Sequence, residues 1–236
     1  MKFGKNLNRI VELSDPEWGP YWINYNFLKR KIKREIVAEN HRRQAEELEK
    51  LGSVEVKGPT ENENEHHHPT LVIIVDCDSS NSTICDKNCS EVVGSLLKSA
   101  AEVDFFRVLR MELKKTSEFF ASAEQLFRIR HQRVHTAFTM LKNDPSVLER
   151  NKRWSRLLSA CVRFYKDVLM LENFAIMNYC GFSKILKKHD KATGFATRDA
   201  FMCNVMSQQN FAHYPYLLTL IKETERLFKD IQHMDK

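Results

Sequence analysis

Four lysines, at 184, 187, 188 and 191 in "KILKKHDK", fall at about 0°, 300°, 40° and 340° around a helix that turns 100° per residue. They therefore share one stripe. Like charges three and four apart repel by roughly 0.2–0.5 kcal/mol per pair, and only Asp190 lies nearby to offset them. Phe182, Ile185 and Leu186 take the opposite side and tie that face to a core. Two readings fit the stripe. One is a solvated basic face. The other is a site for a ligand dense in phosphate, to which several flexible ammonium groups adapt well. A second group sits in "YWINYNFLKRKIK", where Tyr25 and Lys29 are four apart and so share a helix face. A hydroxyl donor beside a cation suits one phosphate, and an ordinary core-edge aromatic fits Tyr25 equally well.

Other chemistries find less support. His66, His67 and His68 precede Cys77, Cys85 and Cys89, but the C-x7-C-x3-C spacing matches no standard zinc finger. His131 and His135, in "HQRVH", lack the glutamate of a zincin and read as exposed histidines. No metal and no cofactor are expected. There is no G-x-S-x-G, P-loop, G-x-G-x-x-G or kinase signature, so the chain reads as non-enzymatic. Cys161, Cys180 and Cys203 lie among apolar residues and read as buried thiols.

The elements that carry these residues are helical. The chain has 236 residues with only 7 Gly and 6 Pro, so regular structure dominates. Residues 2–13 read as a short helix. "SDPEW" stops it and starts another, with Asp15 as cap and Pro16 opening, and helix is expected from about 20 to 51. Residues 91–142 keep a three/four apolar spacing, which predicts one helix of up to about 50 residues, near 75 Å. "NDPSVLE" restarts the chain with Asp144 and Pro145, and that helix is read as far as about 178. Gly181 and Gly194 bracket the lysine segment, and two helices follow, the second from Pro215. Residues 52–89 hold seven acids and two bases, so the rest of the chain carries +11 against the whole-chain net charge of +6. This stretch reads as a flexible acidic linker inside a single domain spanning 1–236. Its "LVIIV" pentad, 71–75, is β-prone. No apolar window of membrane-spanning length is present, and "MKFGKNLNRI" lacks a signal-peptide core. A cytoplasmic, cytosol-facing or nuclear location is expected.

Taken together, "MKFGKNL", "PEW…YWINYNFLKRKIK", "EVDFFRVLRMELKKTSEFF" and "NFAIMNYCGFSKILKKHDK", in this order and separated by a variable linker, resemble the SPX domain family. The resemblance implies an all-α fold: an N-terminal helical hairpin on an elongated three-helix bundle with two long antiparallel helices, plus short C-terminal helices. It implies a basic surface for inositol polyphosphates, inositol hexakisphosphate or an inositol pyrophosphate, which reports phosphate status to a protein partner or a C-terminally attached effector domain. By the same resemblance Tyr25, Lys29 and Lys187 match a phosphate-binding cluster, and Lys184, Lys188 and Lys191 a neighbouring lysine cluster. Lys2 belongs to the first helix, whose N-terminus faces the ligand. Asn26 and Arg30 stand where many members carry Lys or another polar residue, and Arg30 keeps the charge. The alternative is a nucleic-acid or anionic-membrane (phosphoinositide) module using the same lysines. Such modules spread cations along a groove or interleave stacking aromatics, whereas here the cations gather in one patch, so no nucleic acid is expected.

Overall fold

A computed structural model describes residues 2–51, 99–143 and 150–234. The acidic stretch 52–89, with its pentad and its His/Cys cluster, lies outside the described residues, as do 91–98 and the Asp144-Pro145 restart. The fold is all-α, with no strand among the described residues. In chain order the helices are α1 (Phe3–Leu13), α2 (Tyr25–Lys31), α3 (Val37–Leu51), α4 (Ala100–Lys142), α5 (Arg150–Thr193), α6 (Thr197–Asn204), α7 (Asn210–His213) and α8 (Pro215–Met234). A 3-10 turn, Pro16–Tyr21, follows α1, and a π turn, Ile32–Ile36, joins α2 to α3. None of these helices is long and apolar enough to cross a membrane.

Local chemistry explains most of the boundaries. Asp15 accepts the Glu17 N–H at 2.9 Å, and Pro16 opens the 3-10 turn. The next helix starts at Tyr25 rather than near 20, because Asn24 caps it by accepting the Phe27 N–H at 3.2 Å. Leu28, Ile32 and Ile36 are buried at 0%, 1% and 1% exposure. Two successive four-residue steps advance about 80° around an α-helix. The wider π turn over Ile32–Ile36 takes up that drift and keeps all three on the core side.

The chain divides into two compact units. One comprises Lys5–Trp22, Lys114–Tyr179 and Gln209–Lys236. Within it, Phe119 meets Phe174, Phe127 meets Phe164 and Phe138 meets Trp154. The pairs run in opposite directions along the chain, so these stretches of α4 and α5 are antiparallel. Leu227 and Ile231 of α8 close the cluster around Trp154, Leu157 and Cys161. His131 is only 14% exposed, contrary to the exposed reading, and burial lowers its pKa despite Glu223 nearby. His135 is exposed.

The other unit comprises Met1–Gly4, Ile23–Leu113 and Cys180–Gln208, and it holds every candidate binding residue. Here α5 does not stop near 178: it continues as one helix through Gly181 to Thr193. Gly181 is a place of close approach, since a Cβ there would lie 2.8 Å from Ile23 Cγ2 and 3.8 Å from Phe3. Gly194, at φ +79°, takes the left-handed conformation that ends α5, with its N–H on the Asp190 carbonyl. Of the three thiols expected to be buried, Cys161 is, Cys180 is half-buried and Cys203 is exposed. Gly181→Val should lower stability by about 2 kcal/mol, because overpacking against Ile23 outweighs the small gain in helix propensity. Urea denaturation would measure it, and an unchanged midpoint would show that Ile23 yields freely.

Candidate functional site

The core faces of α2 and α5 leave their charged faces outward. On α5, Phe182, Ile185, Leu186 and His189 are all fully buried, while Lys184, Lys187, Lys188 and Lys191 are exposed. On α2 and the π turn, Leu28 and Ile32 face in while Asn26, Lys29, Arg30 and Lys33 face out. A concavity of about 790 Å³ is lined by Asn26, Lys29, Arg30, Ile32, Lys33 and Val37 from the first segment, and by Lys188, Lys191 and Ala192 from α5. Five cations thus converge from two helices. Among the described residues none of the five has a carboxylate within ion-pairing distance.

Lys31, in the middle of the same basic run, behaves differently. It is 7% exposed and pairs with Asp104 of α4 and with Glu35. Burial works against its ammonium, but the hydrogen bonds to Asp104 and Glu35 outweigh that and raise its pKa. It anchors the run and leaves Lys29, Arg30 and Lys33 to face the concavity.

The expected residues separate into two groups. Lys29, Lys188 and Lys191 line the concavity, and Lys2, Tyr25, Lys184 and Lys187 do not. The resemblance grouped Lys187 with Lys29; it is Lys188 that lines the concavity together with Lys29. Tyr25 is half-buried, edge-on to Phe3 at 5.0 Å, and burial raises its pKa, so the phenol stays protonated and able to donate. Gly4, in the first turn of α1, sits so close that a Cβ would lie 3.3 Å from both the Tyr25 ring and the Asn26 side chain. The start of α1 therefore abuts Asn26, a lining residue, and Lys2 is exposed beside it. Lys33 was not singled out from the sequence. Its signal was the spacing Asn26, Lys29, Arg30, Lys33, one stripe at i, i+3, i+4 and i+7.

Asp190 does not serve as the counter-charge for the lysines. Its carboxylate accepts the N–H groups of Thr197 and Arg198, both at 3.0 Å, and the Thr197 hydroxyl. It thereby caps α6, whose own N-cap residue, Ala196, has no polar side chain. Burial opposes the charged form, but hydrogen bonds from His189, Thr197 and Arg198 outweigh it and hold the carboxyl below its ordinary value. Stability from a carboxyl depressed in the fold is present above its unfolded value, about 3.9, and is lost as pH falls through the folded one. Asp190→Ala should therefore cost about 1 kcal/mol at neutral pH, the worth of a cap, and the deficit should shrink in acid. Paired urea titrations at both pH values would check this; an equal deficit in acid would mean the carboxylate charge is not involved.

Comparison with known proteins agrees with this architecture. The SPX domain family model matches residues 1–153 and 129–205. SPX domain-containing protein 2 of Arabidopsis thaliana is 29% identical over 227 residues, which is 96% of this chain and 64% of that protein. The chain thus spans just under two thirds of that relative's length. Phosphate system positive regulatory protein PHO81 of Saccharomyces cerevisiae is 26% identical over 237 residues, covering 100% of this chain and 17% of that protein. Among solved structures, the SPX domain of Chaetomium thermophilum glycerophosphodiester phosphodiesterase 1, in complex with inositol hexakisphosphate, superposes with a TM-score of 0.64 at 19% identity. The match covers 98% of this chain and 99% of that one.

Proposed function

The chain belongs to the SPX domain family, and from that premise we propose that it is a non-catalytic sensor that binds an inositol polyphosphate or pyrophosphate in the basic concavity. Occupancy would report phosphate status to a partner protein or an attached effector domain. The observation that carries this is the convergence of Lys29, Arg30, Lys33, Lys188 and Lys191 on one hollow, with no carboxylate among the described residues in ion-pairing reach of them. Each added cation raises the cost of leaving the hollow empty and the gain from a multiply charged anion. The related SPX structure holding inositol hexakisphosphate supports the ligand class. The yeast relative, a positive regulatory protein of the phosphate system, supports the regulatory role.

In this reading Lys29 and Lys188 face one another across the ligand, with Arg30, Lys33 and Lys191 extending the contact. Tyr25 contributes its hydroxyl, and Lys2 adds charge at the start of α1, where the helix dipole also favours an anion. Lys184 and Lys187 contribute to the field around the hollow rather than to direct contact. Binding driven by charge weakens as salt rises.

Calorimetric titration with inositol hexakisphosphate tests the assignment. Lys29→Ala and Lys188→Ala should each weaken binding roughly tenfold or more, the worth of one charge-assisted hydrogen bond, and Lys187→Ala should cost less. Wild-type affinity for Lys29→Ala and Lys188→Ala would sink the site. Displacement of the ligand by RNA or phosphoinositide vesicles at equal charge would favour a general polyanion or membrane surface instead.

A further inference from the structure

His189, within the lysine segment, is completely buried. Its Nε2 lies 2.6 Å from Glu102 Oε2 of α4. Its Nδ1 lies 3.3 Å from Asp190 Oδ1 and 3.3 Å from Thr197 Oγ1 at the start of α6. The ring stacks on Phe105 at 4.8 Å and 10°, and Phe106 meets it edge-on at 5.2 Å. Both ring nitrogens thus face carboxylates, and only the imidazolium has a proton for each. Three helices meet at this one side chain.

We infer that His189 is the positioning residue of the anion site: held by Glu102 on one side and by Asp190 and Thr197 on the other, its ring fixes the turn of α5 that presents Lys188 and Lys191. The inference rests on the proposed anion site. Lys188 precedes His189 directly and Lys191 follows two residues on, so a rotation or slide of α5 at this point moves both. Glu102 also lies two residues from Asp104, the carboxylate that holds Lys31 and with it the Lys29, Arg30 and Lys33 face. The first two turns of α4 are therefore the common reference for both halves of the concavity.

Protonation sets the strength of this clamp. Burial alone would lower the His189 pKa, but the hydrogen bonds its ring donates to Asp190 and Glu102 outweigh it and raise the pKa above the ordinary value. The titratable groups facing the ring are Glu102 from α4 and its own neighbour Asp190. From α6 the facing group is the neutral Thr197 hydroxyl, and the Arg198 guanidinium donates to Ser183 at 3.1 Å. A group with a raised folded pKa stabilises fully below its unfolded value, about 6.5, and that contribution is lost as pH rises through the folded one. Losing the proton removes the ring's hydrogen bond to one of the two carboxylates and loosens the lysine turn.

The test measures inositol hexakisphosphate affinity of the wild type and His189→Gln at matched pH from about 6 to about 9. The ligand's own titration cancels in the ratio of the two affinities. The variant should bind roughly tenfold more weakly at the acid end, and the ratio should approach one at the alkaline end. A ratio that does not change with pH overturns the inference, because a merely structural histidine would give that result. If His189→Gln does not fold, Glu102→Gln replaces it, and the pH midpoint for binding should move down; an unmoved midpoint overturns the inference. Separately, the His189 ring should titrate at higher pH in the ligand-bound than in the free wild type by NMR, and an identical midpoint also overturns it. Wild type that binds no inositol hexakisphosphate at any pH removes the anion site itself. Binding without the pH-dependent ratio removes only the role of His189.

Discussion

The first turn of α4 is the constraint on which the cation-bearing unit depends. Glu39 of α3 reaches into it, accepting from the Ser99 hydroxyl at 2.9 Å and from the Ala101 N–H at 3.4 Å. Ser99 in turn accepts the Glu102 N–H at 3.3 Å. The turn's orphan N–H groups are thus satisfied partly from another helix. From the same turn Glu102 holds α5 through His189, and from the start of the next Asp104 holds α2 through Lys31. Buried pairs of this kind contribute little net stability against apolar residues of the same volume, because desolvation offsets their attraction. What they supply is geometry: each joins α4 to a cation-bearing helix at a defined pair of side chains.

The same arrangement explains why the nearby acids among the described residues do not pair with the concavity's cations. Asp190 sits in the middle of their segment, but it points to the N-terminus of α6 and to His189. Asp104 and Glu35 belong to Lys31. Among the described residues these acids hold the scaffold together and leave the field of Lys29, Arg30, Lys33, Lys188 and Lys191 open in the concavity. A hollow also screens charge less well than a convex surface, which strengthens each cation's pull on an incoming anion.

Periodicity carried much of this in advance. Apolar spacing marked the buried face of α5, and the four lysines were legible as one exposed stripe, because a single helix determines both. What periodicity could not show is any property set by a distant residue. Lys31 and Lys29 are both cations in "KRKIK", and what separates them is Asp104, more than seventy positions away. Gly181 looked like a boundary because glycine disfavours helix, whereas Ile23 and Phe3 occupy the space its side chain would have filled. Cys203 has apolar neighbours in sequence but lies on the outer side of α6. His189 carried no signal of its own in the sequence, since its partners Glu102 and Thr197 come from two other helices.

The choice between Lys187 and Lys188 shows where the helical wheel runs out. Taking Lys184 as the zero, the α5 residues that line the concavity, Lys191, Lys188 and Ala192, lie at about 340°, 40° and 80°. They define a sector centred near 30°. Lys187, at about 300°, falls outside it on angle. Lys184, at the origin, falls inside it on angle but sits about 6 Å farther back along the axis than Lys188, at 1.5 Å per residue. Angle and rise therefore exclude different lysines. The wheel alone supplied the angles, but not which flank of the stripe faces α2 or how far along α5 the two helices meet. Those two quantities are tertiary, and α4 contacts both helices, through Glu102–His189 and Asp104–Lys31.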